Sequence, residues 1–421
     1  MVERTVLDSG LVVISEFQPH SPSFSLSYSL RTGSRNESLS SIGIHHFVEH
    51  MIFKGSHQYD MKAIADISDR LGGSLNAFTG KEITQYYIKA VDGKLKESFD
   101  LLTDIVMNSV FLTGEFDKEK GVLLQEIKES DDDPDTFVFE RFYESVFGRN
   151  GLAYPIGGKE EQVAAFTRDM VYDFYRKTYT PPNLLLAAVG NVQHRELVEL
   201  AKQAFAAFPQ QEPGRFDFQA PDFHWGSFSG RNKSLKQLYT VIGFAGVATA
   251  SPVRYEFMIM NDILGGGMSS RLFQSMREEK GLAYTVNSFL DAYLECGIHL
   301  VYAILDPAHL DEYLAGVKAE IFRLQQEGIS KVDLERACDH TKASILLSLE
   351  SNTAKMRFNV NQDFFFGREL TVEEIIRDID RLTVADINRV CRDYLDWQKA
   401  TLFLYGDLPA GKKSRYRLDH Y

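Results

Sequence analysis

The 421-residue chain is 44% hydrophobic and 25% charged, with 59 acidic against 46 basic side chains and a formal net charge of −13. This composition excludes disordered and collagen-like chains, and the length suits about two or three domains of ordinary size. The acidic balance leaves no basic excess to displace counterions from nucleic acid, while it suits cationic partners.

The first residues read as a strand, a turn at Asp8-Ser9-Gly10 and a second strand, without the basic start and long apolar core of an export signal. The apolar run 184–189 is too short to cross a membrane. Cys296, Cys338 and Cys391 stand in no CxxC spacing and read as buried thiols of a reducing compartment. The expectation is a cytoplasmic protein with neither membrane nor nucleic-acid partners.

Further along, the chain repeats itself. From Thr167 and again from Thr383, a capping Thr opens an amphipathic helix, then a short break leads to an apolar strand. These strands end at Gly190 and Gly406, so the spacing is the same in both copies. Strand 23–34 faces 237–248 in the same register, and FDKEKGVLLQEI from Phe116 faces VDLERACDHTKA from Val332. Strands 86–90 and 298–304 mix with helices 94–108 and 310–327. The pattern predicts an α+β fold of two homologous domains, each a mostly antiparallel sheet with helices packed on one face. Residues 1–210 and 231–421 form the domains, joined by a polar, Gly/Pro-bearing linker at 211–230.

The copies differ where chemistry is possible. His46, Glu49 and His50 form an H-x-x-E-H motif, and the second copy has Met258, Asn261 and Asp262 there. His46 and His50 stand one helical turn apart, a spacing that lets both reach one zinc ion, and Glu49 lies beside them. Ile44, Val48, Met51 and Ile52 make an apolar stripe on the other side. His45 points away from His46, and neither His45 nor His57 reads as a ligand. A zinc site needs a third ligand. Glu119 and Glu126 share one helical face, and Lys342 replaces Glu126 in the copy that also lacks the histidines. That joint loss favours Glu126 as the ligand and Glu119 as its support; a solvated acidic face is the alternative.

H-x-x-E-H followed by Glu126 resembles the pitrilysin-type (M16) zinc peptidases of the inverted motif. The bacterial relatives of the mitochondrial processing peptidase β subunit are the nearest likeness. Matching stretches run along nearly the whole chain: LDSGLVV, GGSLNAFTGKEITQYY from Gly72, DDPDTFVFERF from Asp132 and LGGGMSSRLFQSMREEKGLAYTV from Leu264. The resemblance implies one zinc per chain on His46, His50 and Glu126, with Glu49 as general base and Glu119 in support. It further implies that Leu75, Asn76, Ala77 and Phe78 form an exposed edge strand that a peptide joins by main-chain hydrogen bonds. Arg277 and Tyr284 match a pair that contacts the substrate backbone. On sequence alone they read as a solvated helix-end charge and a half-buried strand residue. In the implied homodimer, two units enclose a chamber and this pair reaches the opposite protomer's site. The implied activity is a zinc endopeptidase for short or unfolded peptides. A non-catalytic scaffold of the same family, the alternative, would need degraded metal residues. If the acidity lines the chamber, basic peptides are preferred.

Overall fold

Alternating apolar residues in the first half build one sheet from β1 (Val2–Val6), β2 (Val12–Phe17), β3 (Ser23–Leu30), β4 (Ser74–Thr79), β5 (Thr84–Val91) and β6 (Leu184–Gly190). In the computed structural model, which describes residues 2–212, 218–408 and 417–418, their order is β1-β2-β6-β3-β5-β4. The second half supplies β7 (Ser227–Arg231), β8 (Leu238–Ala245), β9 (Ala283–Ala292), β10 (Gly297–Leu305) and β11 (Thr401–Gly406), in the order β7-β11-β8-β10-β9. Both sheets are mostly antiparallel, and in each one pair is parallel, β2 with β6 and β7 with β11. The repeat in the sequence is therefore a repeat of topology, to which the first copy adds β1.

The apolar alternation sorts the first sheet into two faces. Leu26, Tyr28, Tyr86, Ile88 and Leu186 turn into the main core, under Phe47, Val48 and Met51 of the Ile44–Ile52 helix. Val12, Ile14, Leu185 and Ala187 turn the other way and meet Met356 and Val360. Those two residues belong to the Asn352–Asn361 helix, which comes from the second half of the sequence. Asp363 receives hydrogen bonds from Arg4 and Arg31, and Asn359 donates to Glu16, fastening this segment to β1, β2 and β3. The main helical layer thus lies on one face, with the exchanged Asn352–Asn361 helix on the other.

The second sheet receives a helix in the same way. Pro134–Phe147 lies against it, with Phe142 in the space over Gly243, Phe137 stacked on Tyr405 and Tyr302 hydrogen-bonded to Asp135. By contacts, one unit gathers Met1–Ser130, Tyr154–Asp217 and Ser348–Glu369, and the other Asp131–Ala153, Phe218–Leu347 and Leu370–Tyr421. Two helices therefore lie outside the contiguous halves expected from the repeat. Of the expected linker, residues 213–217 lie outside the described residues, and 227–230 are strand because β7 pairs with β11. Cys296, Cys338 and Cys391 are buried free thiols. Among the described residues no helix is long and apolar enough to cross a membrane.

Candidate metal centre

The Ile44–Ile52 helix is held rigidly at its start. Gly43 caps it at φ 93°, and a Cβ there would fall 2.7 Å from the Gly158 Cα. Glu37 accepts from the Gly43 and His45 backbone N–H groups at 2.7 and 2.9 Å, placing an anion at the helix's positive end. Its carboxylate also faces His45 Nδ1 at 2.9 Å, while Thr32 takes the other ring nitrogen. His45 is thus fixed in the interior, away from His46, as its helical position predicts.

The partner of this helix is Thr113–Asp132. Phe116, Glu119, Leu123 and Glu126 recur at i, i+3, i+7 and i+10, one stripe along its surface. Phe116 stacks on Phe47 with ring centres 4.6 Å apart, and both rings are fully buried. Truncating such a ring costs about 3–5 kcal/mol. This apolar pair sets the register that brings the carboxylates to the histidines. His50 Nδ1 meets Glu119 Oε2 at 3.1 Å, and Lys54 holds Glu119 Oε1 at 2.7 Å. Glu126 Oε2 lies 3.6 Å from His50 Nε2 and 4.0 Å from His46 Nε2.

One ligand atom from each of His46, His50 and Glu126 lies within 4.8 Å of the others. Burial, and then the nearby His50, push the His46 imidazole down to about 4, so it is neutral near pH 7 and its lone pair is available. Two imidazole nitrogens and one carboxylate oxygen are a donor set suited to zinc with a position left open. A carboxylate on the far nitrogen of His50 fixes its tautomer and aims Nε2 inward.

Glu49 stands beside this cluster. Burial raises its pKa, while a hydrogen bond donated by the Thr79 hydroxyl to Oε2 works in the opposite direction. Thr79 ends β4, which has β5 on one side and an open edge on the other. Asn76 and Phe78 pair with Tyr87 and Gln85 in that ladder. Ala77 pairs with Tyr86, but its N–H goes to its neighbour Asn76 Oδ1 at 2.8 Å, so that donor turns to the open edge. Glu49, His50, Phe53, Lys54 and Glu119 line a cavity of about 190 Å³.

In the second unit, Arg277 sits on a π-helical segment, Phe273–Glu279, and donates to the Tyr284 backbone oxygen at 2.8 Å. Its guanidinium stacks on the Tyr284 and Phe273 rings at 4.5 and 4.8 Å. Tyr284 is 75% exposed, so it is a surface residue and not the half-buried one that its strand setting predicts. Sequence reasoning missed Lys54, Thr79 and Glu37. Lys54 had a signal in its helical spacing, one turn beyond His50; the other two act across loops and strands that no local pattern connects.

Residues 12–160 match the family profile described as insulinase (peptidase family M16), and residues 165–340 match that of the peptidase M16 inactive domain. An uncharacterized zinc protease of Bacillus subtilis, YmxG, is 32% identical across 97% of this chain and 100% of its own length. An uncharacterized zinc protease of Rickettsia bellii is 35% identical across 90% of this chain and 92% of its own. A Helicobacter pylori protease has the same fold, with a TM-score of 0.89 at 21% identity over 96% of this chain and 99% of that one. A peptidase M16 inactive domain structure from Pseudomonas fluorescens has a TM-score of 0.88 at 20% identity, over 97% and 98% of the two chains. With such identity sustained along nearly its whole length, the protein belongs to the M16 peptidase family.

Proposed function

We propose that this protein is a zinc-dependent endopeptidase cleaving short or unfolded peptides, with one zinc per chain held by His46, His50 and Glu126. The convergence of those three donors beside a buried Glu49 carries the reading. Zinc, when bound, supplies a Lewis acid that polarises a carbonyl and acidifies water. Glu49 Oε2 is held by Thr79, which leaves Oε1 to take a proton from the attacking water and return it to the leaving amine. The substrate lies extended along the open edge of β4 beside Asn76, Ala77 and Phe78, with main-chain groups such as those of Ala77 taking the place of side-chain pockets. Glu119 and Lys54 keep His50 oriented. Arg277 and Tyr284 contact the substrate backbone, and the exposure of Tyr284 leaves it available for that role. The protein acts in the cytoplasm as a homodimer enclosing the substrate.

The test is cleavage of a mixed peptide library by the purified protein, followed by mass spectrometry. Cleavage abolished by a zinc chelator and restored by added zinc is expected. A zinc-loaded protein that cuts no peptide would return the chain to the non-catalytic scaffold.

A further inference from the structure

The edge strand has two faces, and the metal centre uses one. Leu75 and Ala77 pack against the core beneath the histidine helix, and Thr79 reaches Glu49 on that side. Asn76 and Phe78 alternate onto the opposite face. There Tyr87, the cross-strand partner of Asn76, packs against the cluster that contains Met356 and Val360.

Arg357 stands on that second face. It belongs to the exchanged Asn352–Asn361 helix, one residue after the buried Met356. Its guanidinium lies 4.9 Å from the Phe78 ring centre and 5.0 Å from that of Tyr87. The side chain is exposed, and among the described residues no carboxylate pairs with it. Contact with two rings restricts the side chain and leaves the N–H donors at its rim unused.

A peptide added to β4 would run about 4.8 Å away and turn alternate side chains to each face. Side chains on one face would meet the metal centre. Those on the other would stand next to Asn76 and Phe78, within cross-strand reach of the guanidinium. A planar fork of N–H groups there matches a carboxylate and repels a cation.

We propose that Arg357 reads the outward face of the bound strand and selects peptides with an Asp or Glu side chain at the position beside Phe78. This rests on the edge-strand peptidase reading given above and names a substrate class for it. The preference is local and opposes the one expected from the net charge.

The experiment uses the full zinc-loaded chain and short peptides in which Asp, Asn or Lys is walked through every position. Wild type is expected to favour Asp over Lys roughly three- to fivefold at one outward-facing position, the range of an exposed ion pair, and less so as salt is raised. Arg357→Ala should bring that ratio close to one, Arg357→Lys should keep part of it, and Arg357→Glu should reverse it. A second arm measures binding of the same peptides by fluorescence anisotropy, on Glu49→Gln protein with and without Arg357→Ala. An Asp/Lys ratio unchanged by Arg357→Ala in both arms overturns the proposal. A binding preference that vanishes with Arg357→Ala, in a protein whose wild type shows no chelator-sensitive cleavage, supports the carboxylate site and removes the peptidase reading.

Discussion

The Ile44–Ile52 and Arg254–Gly265 helices hold the same place in the repeat, yet their polar groups are used in opposite ways. In the first, His46, His50 and Glu126 converge at distances too long to satisfy one another. In the second, Asn261 at the position of Glu49 accepts from Ser288 at 2.8 Å and from His299 at 3.0 Å. Asp262, at the position of His50, faces His340 at 2.5 Å, and Lys342, at that of Glu126, pairs with Asp380 at 2.7 Å. The second unit pairs the groups at these positions with one another or with neighbours, and among the described residues it brings no comparable set of donors together.

The largest effect should come from separating base from ligands within the first helix. Glu49→Gln is expected to lower kcat/KM by about 10²–10⁴ while elemental analysis still finds zinc. Glu126→Gln should instead lose the metal, whereas Lys342→Gln, the counterpart change, should leave zinc content as it was. Full activity in Glu49→Gln protein would remove Glu49 from the chemistry. A smaller effect is expected one step out from the metal. Glu119→Gln should weaken zinc affinity about 10–100-fold in a chelator competition titration, because His50 loses its orienting carboxylate. Lys54→Met should weaken it in the same direction and by less. An affinity equal to wild type in both variants would make the Lys54–Glu119–His50 chain merely structural.

The smallest effect tests the second unit. Burial lowers the pKa of His299 from 6.5 to about 3, and no charged partner offsets it. The unfolded chain therefore binds this proton first. The group's contribution to stability is complete above about pH 6.5 and is lost as pH falls toward about 3, by up to ~1.4 kcal/mol per pH unit. Urea melts across that window should show a shallower acid slope for His299→Leu than for wild type. The variant should also be weaker by about 1 kcal/mol near neutrality, since Asn261 loses a hydrogen bond. Identical slopes would mean that His299 is not held neutral in the fold.

Much of the candidate site is legible along the chain because helices impose fixed spacing. His46, Glu49 and His50 are one turn of helix, and Glu119 and Glu126 share a stripe on another, so local periodicity is enough to select them. The repeat adds a second signal, since Met258, Asn261, Asp262 and Lys342 mark the same positions without metal chemistry. Thr79, Glu37 and Arg357 carry no such signal. Thr79 reaches Glu49 only because β4 packs beside the histidine helix, and Arg357 comes to β4 from 279 residues beyond Phe78 only because its helix docks on the first sheet.

Composition, periodicity and internal repetition were sufficient for the α+β class and the two repeated sheets, and they single out the candidate donors. Each of these is a short-range pattern, recorded in residue type and spacing. The exchange of the Pro134–Phe147 and Asn352–Asn361 helices follows from which sheet face each apolar surface covers, and periodicity does not choose between faces. Charge shows the same division. The net value of −13 is a sum over all residues, whereas the selection proposed at β4 rests on the Arg357 guanidinium 4.9 Å from the Phe78 ring centre. Screening confines such an interaction to short distances, so the proposed selection depends on where one helix docks rather than on the overall charge.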